Sequence, residues 1–162
     1  MTETLVIRTE TTTPDTTMAV CADFFARIRH NPVSIVLLIG EPGAGKTTFC
    51  RGFAQVMEIS DTINSPTFNL HNRFVGRLGT LHHYDLYRLE SNDEIDALGF
   101  AEEWAKGDGV STVHAIEWGQ RAFPFLPHDI PVYTIKLTVD ERDDNRRLIE
   151  IHTRSGKIVP GP

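Results

Sequence analysis

The sequence predicts an α/β domain built on a mixed, mainly parallel sheet with helices on both faces. The first observation is an apolar, β-branched run at residues 33–39, which is typical of a buried parallel strand. The second is the glycine-rich stretch at 40–48, and the third is the helical spacing of Phe49, Phe53 and Val56 after it. Because strands and helices alternate further along, the sheet should be mainly parallel, and predicted hairpins add antiparallel strands.

The glycine-rich stretch, Gly-Glu-Pro-Gly-Ala-Gly-Lys-Thr-Thr, matches the phosphate-binding pattern G-x-x-x-x-G-K-[ST] at every fixed position. Its glycines let backbone N–H groups turn toward a phosphate, and the start of the next helix adds positive dipole character. In this pattern the lysine reaches the outer phosphates and the hydroxyl binds Mg²⁺. The stretch therefore predicts a P-loop NTPase whose nucleotide-binding residues are Glu41, Pro42, Gly43, Ala44, Gly45, Lys46, Thr47 and Thr48.

The segment before the loop reads as a strand, a turn and a helix. Residues 4–8 are expected to form a short strand, and the threonine-rich 9–13 is expected to turn. Thr13 followed by Pro14 is typical of a helix N-cap with proline at the first helical position. Asn31 and Pro32 end that helix and lead into the central strand.

The segment after the loop helix continues the alternation of strands and helices. Ser91 and Glu94 form a capping-box pattern, and Gly99 is expected to stop the helix that this pattern opens. The predicted order begins with a hairpin of strands at 69–74 and 80–86, followed by helices at 91–98 and 100–105. A strand at 111–117 comes next, and the last predicted unit is a hairpin of strands at 130–139 and 148–153 around a turn at 141–145.

Two acids stand at the ends of predicted strands and are candidates for the chemistry. Asp85 follows residues 81–84, and Glu117 follows the apolar run at 113–116. In open α/β sheets the carboxyl ends of the strands face the ligand crevice, where Mg²⁺ needs a further oxygen ligand and water needs positioning. Each acid also has an ordinary interpretation as a surface carboxylate or a helix cap.

Two neighbours of these acids have open interpretations. His82 and His83 are adjacent in a strand and point to opposite faces, so one buried and one exposed histidine is expected rather than a metal pair. Trp118 follows Glu117 and could stack on a base or fill the core.

Composition limits the classes of function. Residues 1–155 are expected to form one domain, and the Gly/Pro-rich 156–162 a flexible tail. The net charge of −6 argues against a broad basic face that grips DNA or RNA directly. The two cysteines form neither a disulfide framework nor a metal motif. Without an apolar stretch of membrane-spanning length or a signal-peptide core, the expected location is the cytoplasm, with no membrane partner.

Several segments together resemble one family. They are the phosphate loop at 40–48, Ser-Pro-Thr-Phe at 65–68, His-Tyr-Asp-Leu-Tyr-Arg-Leu at 83–89 and Glu-Trp-Gly at 117–119. In order and spacing they resemble the TsaE (YjeE) family, the small ATPases of bacterial tRNA threonylcarbamoyladenosine synthesis. Glu41 and Pro42 stand where that family commonly has Asp-Leu. Neither pair supplies a required side chain, so the change should leave nucleotide binding intact.

The resemblance implies a magnesium-dependent, ATP-binding hydrolase in tRNA modification. Such a protein assists the TsaD and TsaB proteins, which place a threonylcarbamoyl group on the adenosine next to the anticodon, and the tRNA is contacted through that complex. The implied roles are phosphate binding and catalysis for Lys46, Mg²⁺ binding for Thr47 and Glu117, catalysis for Asp85, proximity to the nucleotide for Trp118, and a switch-like segment for Ser65, Pro66 and Thr67.

Two other functions share the phosphate loop. A small-molecule kinase would need a second substrate site and an arginine-bearing lid, and the sequence after Glu117 shows only Arg121 before prolines. A nucleotide-gated binding module would use ATP as a switch without significant turnover. On the family resemblance, slow hydrolysis that depends on partners is the main prediction, because the sequence shows neither a lid nor an obvious arginine finger near the loop.

Overall fold

The structure is a computed structural model that describes residues 2–64, 66 and 69–154. Its strands form a single seven-stranded sheet in the order β1-β7-β6-β2-β5-β4-β3. The elements are β1 (Glu3–Thr11), α1 (Pro14–Ile28), β2 (Val33–Ile39), α2 (Lys46–Val56), β3 (His71–Val75), β4 (Thr80–Asp85), α3 (Asn92–Ala97), α4 (Phe100–Trp104), β5 (Thr112–Glu117), a 3₁₀ helix (Gly119–Phe125), β6 (Val132–Asp140) and β7 (Asp143–Arg154).

The sheet is mixed and mainly parallel, as the sequence predicts. Strand β2 lies between β5 and β6 and is parallel to both, and β4 is parallel to β5. Strand β7 is antiparallel to both β6 and β1, and β3 is antiparallel to β4. Only β3 and β7 therefore run against the common direction of the described strands, and the central strand carries the phosphate loop at its carboxyl end.

Helices cover both faces of the sheet, which confirms the predicted α/β architecture. Strand β2 is apolar on both sides because both sides are buried. Val36 and Leu38 belong to a core cluster with Phe53 of α2, whereas Ile35 belongs to the opposite cluster with Trp104 of α4. This packing on both faces holds β2 in place, and with it the start of the phosphate loop.

The first helix begins as predicted, but the strand before it is longer than predicted. The Thr13 hydroxyl accepts a hydrogen bond from the Thr16 N–H at 3.1 Å, and Pro14 occupies the first turn. The prediction of a turn over 9–13 is wrong for its first part, because β1 continues to Thr11. Its last residues pair with β7, where Thr11 lies opposite Arg147.

The predicted hairpins and helices in the second half of the chain are confirmed, with one correction. Strands β3 and β4 pair as a hairpin, and the capping box at Ser91 and Glu94 opens α3. The turn predicted at 141–145 is shorter, since β7 already begins at Asp143, paired with Asp140. The polar residues at the start of β7 hid its strand character because this end of the strand is exposed.

Both adjacent histidines of β4 are buried, so the prediction of one exposed histidine is wrong. His82 is 6% exposed and His83 is 0% exposed. Adjacent side chains of a strand point to opposite faces, but residues of β3 and of the loop before β5 cover the His82 side chain as well. There the His82 ring stacks with that of His71 at 5.1 Å, and its Nε2 lies 3.4 Å from Asp108.

No helix among residues 2–64, 66 and 69–154 is both long and apolar enough to span a membrane. The predicted tail at 156–162 lies outside the described residues.

Candidate functional site

The phosphate loop connects the buried strand β2 to helix α2 through two left-handed glycines. Gly43 has φ of 81° and Gly45, the N-cap of α2, has φ of 108°. Only glycine adopts such angles without steric cost. The loop therefore makes a tight turn directly before the N-terminus of α2. Within this turn the Ala44 N–H donates a hydrogen bond to the Glu41 carbonyl oxygen at 3.0 Å. Such a loop is a ready site for an anion.

Lys46 is held inside this loop. Its side chain is 6% exposed, and its ammonium donates to the carbonyl oxygens of Gly40 at 2.5 Å and Glu41 at 3.1 Å. The same ammonium lies 5.0 Å from the ring centroid of Trp118, close enough for a cation–π contact. Backbone oxygens and an aromatic face thus satisfy the buried charge.

The two candidate acids lie side by side at the edge of the sheet. Asp85 ends β4 and Glu117 ends β5, and the parallel register places them directly opposite each other. The Asp85 Oδ1 accepts the backbone N–H of Tyr87 at 3.0 Å, which orients its carboxylate. Burial lowers the pKa of Lys46, and the charges of Glu117 and Asp85 oppose that shift.

Glu117 and Thr47 form a pair of oxygen donors that fits a divalent cation. Glu117 is 4% exposed, and the Thr47 hydroxyl donates to its carboxylate oxygens at 3.1 and 3.2 Å. A hydroxyl and a carboxylate at this spacing beside a phosphate site are ligands that Mg²⁺ prefers. The donor set is therefore suited to Mg²⁺, as the phosphate-loop pattern predicts.

A histidine that the predicted site did not include, His83, contacts Glu117. His83 Nε2 lies 2.6 Å from Glu117 Oε2, and its Nδ1 is buried without a hydrogen-bond partner among the described residues. Cys50, His83 and Glu117 offer ligand atoms that all lie within 4.8 Å of one another, with all three side chains buried. Glu117 is thus surrounded by specific polar contacts.

One cavity of about 410 Å³ joins the loop to the acids. Its lining residues are Pro42, Gly43, Gly45, Lys46, Thr47, Thr48, Asp85, Tyr87, Glu117 and Trp118. The structure therefore brings together every predicted catalytic and metal-binding residue. Of the predicted nucleotide-binding residues, Glu41 and Ala44 belong to the loop but do not line this cavity. Of the predicted switch, Pro66 is buried, and Ser65 and Thr67 lie outside the described residues.

Trp118 lies on the wall of the cavity and is partly buried against the core. Its backbone is left-handed, with φ of 58°, which is uncommon for a bulky side chain. Its ring lies 4.9 Å from that of Tyr87, which is 57% exposed. Both aromatic residues line the cavity, and the Trp118 ring lies next to the Lys46 ammonium.

Arg147 is a further candidate that the sequence did not reveal. It belongs to β7, and its guanidinium donates to the carbonyl oxygens of Ala44 at 3.1 Å and Gly43 at 3.0 Å. These contacts join residues 103 and 104 positions apart in the chain. No spacing rule could predict them, because they depend on β7 lying between β1 and β6.

A second cavity, of about 170 Å³, lies on the Arg147 side of the loop. It shares Gly43, Gly45 and Thr48 with the larger cavity. Its other lining residues are Thr12, Thr13, Pro14, Thr17, Asn145 and Arg147. The two cavities thus lie next to each other and share residues of the phosphate loop and the first turn of α2.

Comparisons with known proteins agree on one family. The sequence profile described as "Threonylcarbamoyl adenosine biosynthesis protein TsaE" matches residues 11–149. The tRNA threonylcarbamoyladenosine biosynthesis protein TsaE of Rickettsia felis is 40% identical over 127 residues, which are 78% of this chain and 69% of that protein. The protein of the same name from Treponema pallidum is 39% identical over 118 residues, covering 73% of this chain and 81% of the relative. The Bacillus subtilis protein of that name is 34% identical over 118 residues, covering 73% and 68%.

A solved structure supports the fold independently. The crystal structure of Bacillus subtilis YdiB superposes with a TM-score of 0.71 at 22% sequence identity, covering 96% of this chain and 89% of that one. At this identity the likeness shows the fold, and the fold is that of the α/β sheet described above. The match of the family profile over residues 11–149, with relatives 34–40% identical over most of the chain, shows that the chain belongs to the TsaE family of threonylcarbamoyl adenosine biosynthesis proteins.

Proposed function

We propose that this protein binds and hydrolyses ATP as an accessory in threonylcarbamoyl modification of the tRNA adenosine next to the anticodon. The observation that carries the ATPase part is the convergence of Lys46, Thr47, Asp85 and Glu117 on one cavity beside the phosphate loop. Phosphoryl transfer requires mainly positioning and charge stabilisation, and these four side chains are of the types that supply both.

Lys46 and the loop hold the phosphates in this proposal. The Lys46 ammonium now bonds to the Gly40 and Glu41 carbonyl oxygens, and it would exchange these partners for phosphate oxygens. Thr47 and Glu117 would hold Mg²⁺, which supplies positive charge to the phosphates. Trp118 would lie at the phosphate end of the nucleotide, because its ring is next to the Lys46 ammonium.

Asp85 has the position expected of a group that orients the attacking water. It lines the same cavity as Lys46 and stands beside Glu117 in the register of β4 and β5. Its carboxylate is fixed by the Tyr87 N–H, so a water bound to it would have a defined direction. This is a role in turnover rather than in nucleotide affinity.

The second cavity supports a position for the nucleoside. The phosphate end is defined by Lys46 and Glu117 in the larger cavity, so the other end of the nucleotide should leave the loop on the opposite side. That side opens across Gly43, Gly45 and Thr48 into the cavity beside Arg147. Arg147 would both support the loop and add positive charge near the phosphates.

Partners are inferred from the family. The relatives are named for tRNA threonylcarbamoyladenosine biosynthesis, and we propose that the chain acts there in the cytoplasm with the TsaD and TsaB proteins. A net charge of −6 favours an arrangement in which those partners hold most of the tRNA.

The experiment that tests the site is a parallel measurement of ATP affinity and turnover in two variants. Lys46→Ala removes a phosphate ligand, so ATP affinity should fall at least about tenfold. Asp85→Ala should keep affinity within about threefold but lower turnover by about 100-fold or more. Exposed residues provide matched controls, and Lys106→Ala and Asp129→Ala should resemble the wild type in both measurements.

Two results would contradict these roles. Equal loss of ATP affinity in Lys46→Ala and Asp85→Ala would remove the division between binding and turnover. Transfer of the γ-phosphate to an added small-molecule acceptor, rather than its release to water, would show a kinase instead of an ATPase.

A further inference from the structure

We propose that His83 is a positioning residue of the metal site, which holds the Glu117 carboxylate against the Thr47 hydroxyl. This inference rests on the proposed function, because it concerns the Mg²⁺ that accompanies the nucleotide. The contact that carries it is the 2.6 Å approach of His83 Nε2 to Glu117 Oε2, between two side chains with almost no exposure.

The sheet register explains how the imidazole reaches the carboxylate. His83 on β4 lies opposite Ala115 on β5, and Asp85 lies opposite Glu117 one step further along the same face. Because Ala115 carries only a methyl group, the ring can extend diagonally across β5 toward Glu117. Such diagonal neighbours are within the reach of a ring side chain.

The environment of His83 assigns its role as a donor. Its Nδ1 is buried and has no hydrogen-bond partner among the described residues. An N–H at that position would be buried and unpaired, which is costly, whereas a bare ring nitrogen costs less. The neutral tautomer with the proton on Nε2 fits both nitrogens, and it donates that proton to Glu117.

The short contact also argues against a cation between His83 and Glu117. Two ligand atoms on one cation, each about 2.1 Å from it, are separated by about 3.0 Å in octahedral and about 3.4 Å in tetrahedral geometry. The 2.6 Å separation is that of a hydrogen bond, so the contact of His83 with Glu117 is better described as support for that carboxylate than as part of a second metal site with Cys50.

The consequence is a carboxylate held from two sides. The Thr47 hydroxyl contacts Glu117 from the cavity side, and the imidazole contacts it from the buried side. Loss of a group that orients a metal ligand typically weakens metal affinity by about 10- to 100-fold. His83 should therefore contribute to metal affinity without touching the nucleotide.

The test measures Mn²⁺, a spectroscopic substitute for Mg²⁺, bound to the protein with a non-hydrolysable ATP analogue. His83→Leu removes the donor, and we expect the Mn²⁺ dissociation constant from electron paramagnetic resonance to rise about 10- to 100-fold. His83→Gln keeps an N–H at the same number of bonds from the backbone, so it should return to within about threefold of the wild type. Analogue affinity in EDTA should stay the same in all variants.

Two further variants keep the test decisive. His82→Leu replaces the adjacent buried histidine, which points to the other face, and should leave Mn²⁺ affinity near the wild-type value. His83→Asn places its N–H one bond short, so it should be as weak as His83→Leu. If His83→Leu fails to fold by circular dichroism, the comparison of the Gln and Asn variants decides.

The outcomes separate this inference from the proposed function. Wild-type Mn²⁺ affinity in a folded His83→Leu or His83→Asn protein would overturn the role of His83 alone. So would a His83→Gln protein as weak as His83→Asn. A wild-type protein that binds no Mn²⁺–nucleotide complex would overturn the proposed function itself, and the inference with it.

Discussion

Replacing Arg147 by alanine should weaken ATP binding, although this residue lies far from the loop in sequence. The variant removes the two hydrogen bonds to the loop, to the Gly43 and Ala44 carbonyl oxygens at 3.0 and 3.1 Å, and two more to the Asp144 and Asn145 carbonyl oxygens of its own strand, which do not touch the loop. A hydrogen bond from a charged donor contributes about 1.5–3 kcal/mol when buried, and partial exposure of this guanidinium reduces that to about 1 kcal/mol each. Without the two bonds to the loop, the loop has to be ordered when ATP binds. The cost of that ordering, about 2 kcal/mol, corresponds to a loss of ATP affinity of about 30-fold.

The assay is titration of the protein with a non-hydrolysable ATP analogue by calorimetry. Arg146→Ala is the matched control, because it removes the same charge from the neighbouring position, where the side chain pairs with exposed Glu10. Arg147→Lys keeps the charge but loses the planar fork, so its affinity should fall between those of Arg147→Ala and the wild type. Equal affinities of Arg147→Ala and Arg146→Ala would refute a role for Arg147 in supporting the loop.

Three other predictions concern stability and nucleotide choice. Burial lowers the pKa of His114 to about 4 in the folded protein, against about 6.5 when unfolded, so its contribution to stability is present above pH 6.5 and is lost as the pH falls toward 4. Between pH 7.5 and 4.5 this contribution to the free energy of unfolding changes by roughly 2–3 kcal/mol. The free energy of unfolding in urea should therefore depend less on pH in His114→Gln than in the wild type. An equal pH dependence in the two proteins would contradict the prediction. Thr13→Ala removes the N-cap of α1 and should lower the free energy of unfolding by about 1 kcal/mol, whereas Thr12→Ala should change it little; equal effects would argue against the cap. ATP should bind more tightly than GTP at matched Mg²⁺, because the sequence contains no N-K-x-D guanine-reading motif, and competition titration with clearly tighter GTP would show otherwise.

Local patterns in the sequence were sufficient to predict the strand and helix around the phosphate loop and the helix caps. Strand β2 was predicted at its observed bounds, Val33–Ile39, because a strand buried on both faces is continuously apolar. The caps at Thr13 and Ser91 were also predicted, since a capping residue acts on an N–H only a few positions away. Asp85 and Glu117 were predicted to face a common crevice from the rule that ligands meet the carboxyl ends of parallel strands, and both line the cavity beside the loop.

Contacts that depend on the order of strands in the sheet could not be predicted from the sequence. The continuation of β1 to Thr11 and the position of Arg147 both result from β7 lying between β1 and β6. The link from His83 to Glu117 depends on the relative register of β4 and β5, which no local pattern specifies. His82 and His83 are both buried because other segments of the chain pack on each of them. The alternation of side chains within one strand does not reveal such packing.

The central claim is that this site hydrolyses ATP in cooperation with the tRNA-modifying partners. Its most direct test is phosphate release measured for the protein alone, for the TsaD–TsaB pair alone, and for the mixture with tRNA, with Asp85→Ala as the inactive control. The account predicts release by the mixture well above the sum of the separate rates, and loss of that excess in Asp85→Ala. Rates that merely add, or an excess that persists in Asp85→Ala, would contradict it.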